Sequence, residues 1–214
     1  MNTFLPASLQ HPRFARWYLT LSAKADDRGA GEHRARLLAG LAGRVIEIGA
    51  GNGRNFPHYP VTVTEVLAVE PDDILRAHAE AAAATAPVPV KVAAGHASAL
   101  PADDGSFDAA IASLVLCSVP SQQQALAEIT RVLRAGGQLR FYEHVRSAAP
   151  VLGLLQDAIT PVWSRAGGGC HPNRDTTSAI RAAGFIIDDL DRFAFKPSAA
   201  LPSSAHVIGR AHRT

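Results

Sequence analysis

Arg44-Val-Ile-Glu-Ile-Gly-Ala-Gly-Asn-Gly-Arg-Asn55 is the stretch that decides the fold. Val45, Ile46 and Ile48 form a short β-branched run, as in a strand buried on both faces. Gly49, Gly51 and Gly53 follow at alternate positions. Glycines there allow a sharp turn at positive φ and let a ligand approach the backbone closely. A helix is expected to start near Asn52 to Asn55, so strand, turn and helix together make a nucleotide-type cradle. The dinucleotide fingerprint is G-x-G-x-x-G. Here the spacing is G-x-G-x-G and Arg54 holds the last fingerprint position, which argues against a nicotinamide dinucleotide. Glu47, inside the strand, needs a partner if it is buried. An ammonium group or a ribose near the loop would supply one, whereas a pyrophosphate would repel it.

The same alternation continues downstream. Val66 to Glu70 reads as a second buried strand ending in Glu70-Pro71-Asp72-Asp73, acids at the start of an Ala-rich helix. Asp72 suits capping. Glu70 lies 21 residues after Gly49, where an acid at a strand tip accepts both ribose hydroxyls. Val88 to Val92 is a third strand, and His96, Ala97 and Ser98 follow it as candidates to touch an adenine ring. Phe107 to Ser113 is a fourth strand. Ser121 starts a helix faced by Leu126, Ile129 and Leu133 and ended by Gly136-Gly137, and Leu139 to His144 is a fifth strand. Strands and helices alternating in this order predict an α/β, Rossmann-like, doubly wound parallel sheet with its ligand beyond the carboxyl ends of the strands.

Outside this core, Phe14, Trp17, Tyr18 and Leu21 fall at i, i+3, i+4 and i+7, a helix with one apolar stripe that packs or closes as a lid. Glu32 to Leu41 reads as a second helix. Pro150 to Trp163 is a further apolar-sided helix that Pro161 bends or ends. Gly167 to Pro172 is a loop, Asn173 caps a helix ending at Gly184, and two strands, Phe185 to Phe193 and His206 to Arg210, close the chain.

With 214 residues and 47% hydrophobic content, one domain over residues 1–214 with a full core is expected. A net charge of +2 without a basic run gives no case for nucleic acid. Two cysteines, Cys117 and Cys170, make no disulfide framework and fit a reducing, cytoplasmic compartment. No apolar stretch approaches the roughly 18–20 residues that cross a bilayer. Met1 to Gln10 lacks the charged and apolar regions of a signal peptide.

Val45–Asn55, Glu70-Pro71, Leu100-Pro101…Ser106-Phe107-Asp108 and Ile129-Thr-Arg-Val-Leu-Arg134-Ala-Gly-Gly137 resemble the class I S-adenosylmethionine-dependent methyltransferases over about residues 32 to 145. Leu114-Val-Leu-Cys117-Ser-Val119, Glu143-His144-Val145 and Gly169-Cys170-His171…Asn173-Arg174-Asp175-Thr176 extend the resemblance to nearly the whole chain. They are similar to the methyltransferase-like thiol S-methyltransferases and their bacterial relatives. The resemblance implies a seven-stranded sheet whose last strand is antiparallel, with S-adenosylmethionine as cofactor and S-adenosylhomocysteine as product. It implies that Glu47, Gly49 and Gly51 hold the methionine end and Glu70 the ribose. Tyr18, Ala50, Asn52, Gly53, Asn55, Pro71, Ser113 and Leu114 complete the expected cofactor set, with His96, Ala97 and Ser98 at the adenine. The animal members carry an apolar N-terminal anchor with no counterpart in this sequence, so no stable membrane insertion is expected.

Methyl transfer from a sulfonium is an in-line displacement that needs alignment and exclusion of water, and no metal. A small thiol is the expected acceptor, being already partly thiolate at neutral pH. An amine or phenol of a secondary metabolite or quinone, or a lipid head group, is the alternative acceptor. A cofactor-binding module without catalysis is the alternative outside enzymes. His144 directly follows the fifth strand and is the candidate base or substrate-orienting group. Glu143 could orient it, but neighbours on a strand point to opposite faces, so at most one of the two faces a pocket. Cys117 is expected to line the pocket, and Cys170 and His171 sit in a loop that could close over substrate. Residues 1–30 and 146–172 would then flank the acceptor. Cys117, His144, Cys170 and His171 could in principle bind zinc, but adjacent Cys170 and His171 lack the usual metal-ligand spacing, so no metal is expected. Arg174 is expected to pair with Asp175 or Glu143. The sequence does not set the oligomeric state.

Overall fold

The computed structural model describes residues 9–214. Most of the stretch read for a signal peptide, residues 1–8, lies outside them. Strands run over Gly43–Ile48 (β1), Val63–Val69 (β2), Val90–Ala93 (β3), Phe107–Ser113 (β4), Leu133–His144 (β5), Phe185–Phe195 (β6) and Ser204–Arg213 (β7). Helices run over Pro12–Ala25 (α1), Gly31–Leu38 (α2), Asp73–Ala83 (α3), Gln122–Val132 (α4), Pro150–Ala166 (α5) and Thr176–Ala182 (α6). One sheet forms in the order β3-β2-β1-β4-β5-β7-β6. The neighbours from β3 to β5 pair in parallel, and β7 lies antiparallel between β5 and β6.

Side-chain alternation along β1 splits the core into two layers. Ile46 and Ile48 pack with Leu126 and Ile129 of α4 and Ile180 of α6. Val45 faces the other layer, with Leu37 and Leu38 of α2 and Ala79 of α3. Each β-branched residue thus fills a different side of a sheet covered on both faces, which is why the run is continuously apolar. The order of strands reverses at β1 and β4, so their carboxyl ends diverge and leave a crevice.

Four local expectations are corrected. No α-helix follows the glycine loop; a single 3-10 turn, Phe56–His58, stands there. Gly51 and Gly53 hold φ of 58° and 77°, outside the helical region, and Pro57 and Pro60 prevent propagation. Helix α4 ends at Val132 rather than at Gly136-Gly137. Leu133 already pairs with Phe107, and the two glycines lie in an irregularity inside β5 before pairing resumes at Gln138 with Ala109. Helix α5 continues past Pro161 to Ala166. Asp175, not Asn173, caps α6, accepting the Ser178 N–H at 3.0 Å, while Asn173 donates to Asp157 at 3.0 Å.

Among the described residues no helix is long and apolar enough to cross a membrane.

Candidate active site

A cavity of about 690 Å³ opens over the carboxyl ends of β1, β2 and β4. Gly49, Gly51, Glu70, Pro71, His96, Ala97, Ser98, Ser113, Leu114 and Tyr18 all reach it. Gly49 has φ of +64°, and a Cβ there would stand 2.5 Å from Val115 Cγ2. At Gly51, with φ of +58°, a Cβ would approach the Tyr18 ring at 3.3 Å. Bare backbone is what keeps this edge open.

Glu70 tips β2. Its Oε2 accepts the Gly51 N–H at 2.8 Å and its Oε1 the Asp72 N–H at 2.9 Å, so it fixes the loop while facing the cavity. Burial, against those two hydrogen bonds, pushes its pKa up to about 7. Asp72 caps α3 through Ile74 and Leu75, at 3.0 and 3.1 Å, as the sequence indicates. Ser113 Oγ is buried and has no hydrogen-bond partner among the described residues.

The rest of the expected cofactor set lies behind the loop. Glu47 accepts from the Tyr59 hydroxyl at 2.6 Å and from Asn55 Nδ2 at 2.8 Å. Its partner is therefore supplied by the chain itself, and burial pushes its pKa up to about 7. Asn52 donates to Ser22 Oγ at 3.1 Å, and Gly53 fits against Phe56 and Ala82. Glu47, Ala50, Asn52, Gly53 and Asn55 support the cradle from outside the lining.

A second cavity of about 490 Å³ adjoins the first. Phe14, Trp17 and Leu21 of α1 and Leu152, Leu155, Ile159 and Trp163 of α5 give it apolar walls. Trp17 and Trp163 meet edge to face, centroids 6.4 Å apart, where the two helices come together. Phe14, Tyr18, Leu114 and Ser118 line both cavities. The same α5 leaves Val151, Leu154 and Val162 exposed at 77%, 65% and 71%.

His144 and Cys170 line this cavity, whereas Cys117, expected to line the pocket, is fully buried and lines neither cavity because the turn after β4 folds its side chain inward. The strand alternation argued from sequence holds. His144 faces the cavity, and Glu143, fully buried, faces the turn after β4. Glu143 Oε1 accepts the N–H groups of Val115 and Leu116 at 3.0 and 2.8 Å, and Oε2 that of Cys117 at 3.0 Å. It shapes the turn and does not hydrogen-bond His144. The turn needs that clamp, since Leu114 sits at φ of 60°, a costly conformation for a residue with a side chain.

Cys117 Sγ lies 3.6 Å from His144 Nδ1, Cys170 Sγ lies 3.7 Å from the same nitrogen, and the two sulfurs are 3.7 Å apart. Contact with Cys170 and burial push the Cys117 thiol well up, and the same contact draws Cys170 down. Burial lowers His144, but its hydrogen bond with Cys117 and the charges of Cys117 and Glu143 together outweigh this, leaving it raised. His171 stands apart, its Nδ1 2.6 Å from the Gly169 carbonyl, and lines the first cavity. Arg174 pairs with neither Asp175 nor Glu143. It donates to the carbonyls of Leu116 and Val119 at 2.9 and 2.7 Å, tying the 167–174 loop to the turn after β4.

Sequence reasoning missed Asp72, Leu75, Gln124, Gly168 and Gly169 in the first cavity. Gly169 carried a usable signal: at φ of +86°, its Cβ would stand 2.8 Å from the Ser118 carbonyl, so a glycine is required for the loop to close there.

The methyltransferase domain family matches residues 46–141. The chain is 34% identical over 182 residues to the human thiol S-methyltransferase TMT1B, covering 81% of this chain and 73% of that protein. This chain is a class I S-adenosylmethionine-dependent methyltransferase. A solved methyltransferase from Thermotoga maritima, described as a possible histamine N-methyltransferase, superposes at a TM-score of 0.72 with 24% identity over 94% of this chain and 97% of that one. A geranyl diphosphate methyltransferase solved with S-adenosylmethionine superposes at 0.68, with 14% identity, over 87% of this chain and 85% of that one. At those identities the two structures speak for the fold alone.

The first cavity fits the family's cofactor. Bare glycine backbone admits the ligand, Glu70 offers a carboxylate at the tip of β2, and the Ser113 hydroxyl, without a hydrogen-bond partner among the described residues, sits at the tip of β4 on the other side of β1. When bound, S-adenosylmethionine supplies an electrophilic methyl group on a good leaving sulfur.

Proposed function

We propose that this methyltransferase acts on a small, largely apolar thiol held in the second cavity. The arrangement of that cavity carries the reading. Its walls from α1 and α5 are apolar, and its lining includes His144 and the Cys170 sulfur, with the Cys117 sulfur buried against both. Phe14, Tyr18, Leu114 and Ser118 separate it from the cofactor cavity by one layer of side chains. An apolar acceptor would bury its body against Leu152, Leu155, Ile159 and Trp163, with its reactive end beside His144 and Cys170. The similarity to thiol S-methyltransferases, which extends over the Cys117 and Cys170 segments, points to sulfur rather than oxygen or nitrogen.

The chain contributes alignment and exclusion of water. Glu70, Gly49 and Gly51 position the donor side. Tyr18 and Leu114 fix the approach between the cavities, and His144 orients the acceptor. Segments 9–30 and 146–172 act as the substrate-side cover of a single domain.

A labelled-methyl transfer screen over thiols, amines, phenols and carboxylates tests this. Transfer is expected to apolar thiols first. Silent thiols beside a reactive phenol or amine would overturn the thiol acceptor and leave the methyltransferase intact.

A further inference from the structure

Cys117, His144 and Cys170 come from three separate parts of the chain: the turn after β4, the end of β5, and the 167–174 loop. Their ligating atoms form a nearly equilateral triangle, with Cys117 Sγ to Nδ1 at 3.6 Å, Cys170 Sγ to Nδ1 at 3.7 Å and sulfur to sulfur at 3.7 Å. Metal–sulfur and metal–nitrogen bonds of about 2.3 and 2.0–2.1 Å give tetrahedral edges of about 3.8 Å between sulfurs and about 3.5 Å from sulfur to nitrogen. The observed triangle matches one face of that tetrahedron. A single imidazole nitrogen accepts one S–H hydrogen bond, so a second sulfur at the same distance is not accounted for by hydrogen bonding alone.

We infer that Cys117, His144 and Cys170 bind a soft divalent metal such as zinc, with the fourth coordination position open to the apolar cavity, where the acceptor thiol ligates. Two thiolates and one imidazole suit zinc, and three protein ligands with one open vertex is the pattern of a catalytic rather than a structural site. The surroundings hold the triangle in place. Glu143 fixes Cys117 through its amide, at 3.0 Å. Arg174 ties the loop bearing Cys170 to the turn bearing Cys117, and the His171 N–H donates to the Cys117 carbonyl at 2.8 Å. His144 and Cys170 both line the cavity, so the open vertex faces the proposed acceptor.

The site deepens the thiol reading and rests on it for its fourth ligand. On ligation the acceptor thiol gives its proton to solvent. Its sulfur lone pair then forms the new S–CH₃ bond as the methyl–sulfonium bond breaks, and that bond's electron pair stays with the leaving thioether. The metal changes no oxidation state. Its part is to keep the acceptor as thiolate at a pH where the free thiol is mostly protonated.

The test uses the full chain, stripped with chelator, reduced with a phosphine and titrated with cobalt(II). One equivalent per chain is expected, with thiolate-to-cobalt charge-transfer absorption and the intense d–d bands of four-coordination. Cys117→Ser, Cys170→Ser and His144→Asn should each weaken cobalt binding by more than about 100-fold. Calorimetric affinity for S-adenosylmethionine, held at the separate cavity, reports that each variant is folded. Adding 2-mercaptoethanol should strengthen the charge-transfer band and shift the d–d bands. Equal cobalt binding by the wild type and a folded variant overturns the site and leaves the thiol reading standing. Bound cobalt whose spectrum ignores the added thiol overturns the open fourth position. A disulfide between Cys117 and Cys170 that persists under the reductant, with no metal taken up, also overturns the site.

Discussion

Glu70 shows how much one side chain can decide here. Its two oxygens already hold the amides of Gly51 and Asp72, and burial raises its pKa to about 7. Ribose hydroxyls donate best to an ionised carboxylate. Protonation therefore competes with cofactor binding as the pH falls through about 7. The dissociation constant for S-adenosylmethionine is expected to rise about tenfold between pH 8 and pH 6, measured by calorimetry. Glu70→Gln should bind weakly at both pH values and lose most of that slope. The ligand's own groups titrate equally with both proteins, so the difference isolates Glu70. Glu143 makes the complementary case of a carboxylate with only a structural duty. Glu143→Ala leaves three N–H groups, two of them buried, without an acceptor, and the expected loss is roughly 2–4 kcal/mol in urea unfolding.

Between elements, the decisive contact joins α1 to α5. Trp17 and Trp163 close the apolar cavity at a distance from the glycine loop, and neither side chain lines the cofactor cavity. Trp163→Ala is expected to raise KM for apolar thiols about 5- to 30-fold, from about 1–2 kcal/mol of lost contact, with cofactor affinity unchanged within about twofold. An equal loss of both affinities in steady-state kinetics and calorimetry would show that the two cavities do not act separately. Element type was largely legible, because β1, β2 and β4 are runs of β-branched and small apolar residues and α1 and α4 carry clear stripes. Element ends were less legible. Gly136-Gly137 looks like a helix stop, yet the strand begins at Leu133, because pairing with Phe107 outweighs the local glycine signal. Asn173 looked like a cap, but Asp175 offers a carboxylate to the Ser178 N–H. Cys117, His144 and Cys170 could be named from the sequence as possible ligands together with His171, but their triangle was not legible. Its ligands lie 26 to 53 residues apart, and only the register of β5 beside the returning 167–174 loop brings them together.

For the whole molecule, the parallel core supplies the crevice, and the covered sheet sets a cost for the acids inside it. Glu47 sits mid-strand in the layer of α2 and α3, with Tyr59 and Asn55 as its only hydrogen-bond partners among the described residues. Its folded pKa is raised from 4.5 to about 7, first by burial, with the two hydrogen bonds opposing. A raised pKa means that the folded state binds this proton more tightly than the unfolded chain does. The stabilisation is complete below pH 4.5 and is lost as the pH rises through 7. Glu47→Gln keeps the shape and removes the titration. Relative to that variant, the wild type should gain stability as the pH falls from 8 to 5, by an amount on the order of 3 kcal/mol. Paired urea titrations across that range measure the difference directly. A difference that stays flat with pH would mean that Glu47 is already ionised in the fold, stabilised by Tyr59 and Asn55 well beyond what its burial costs.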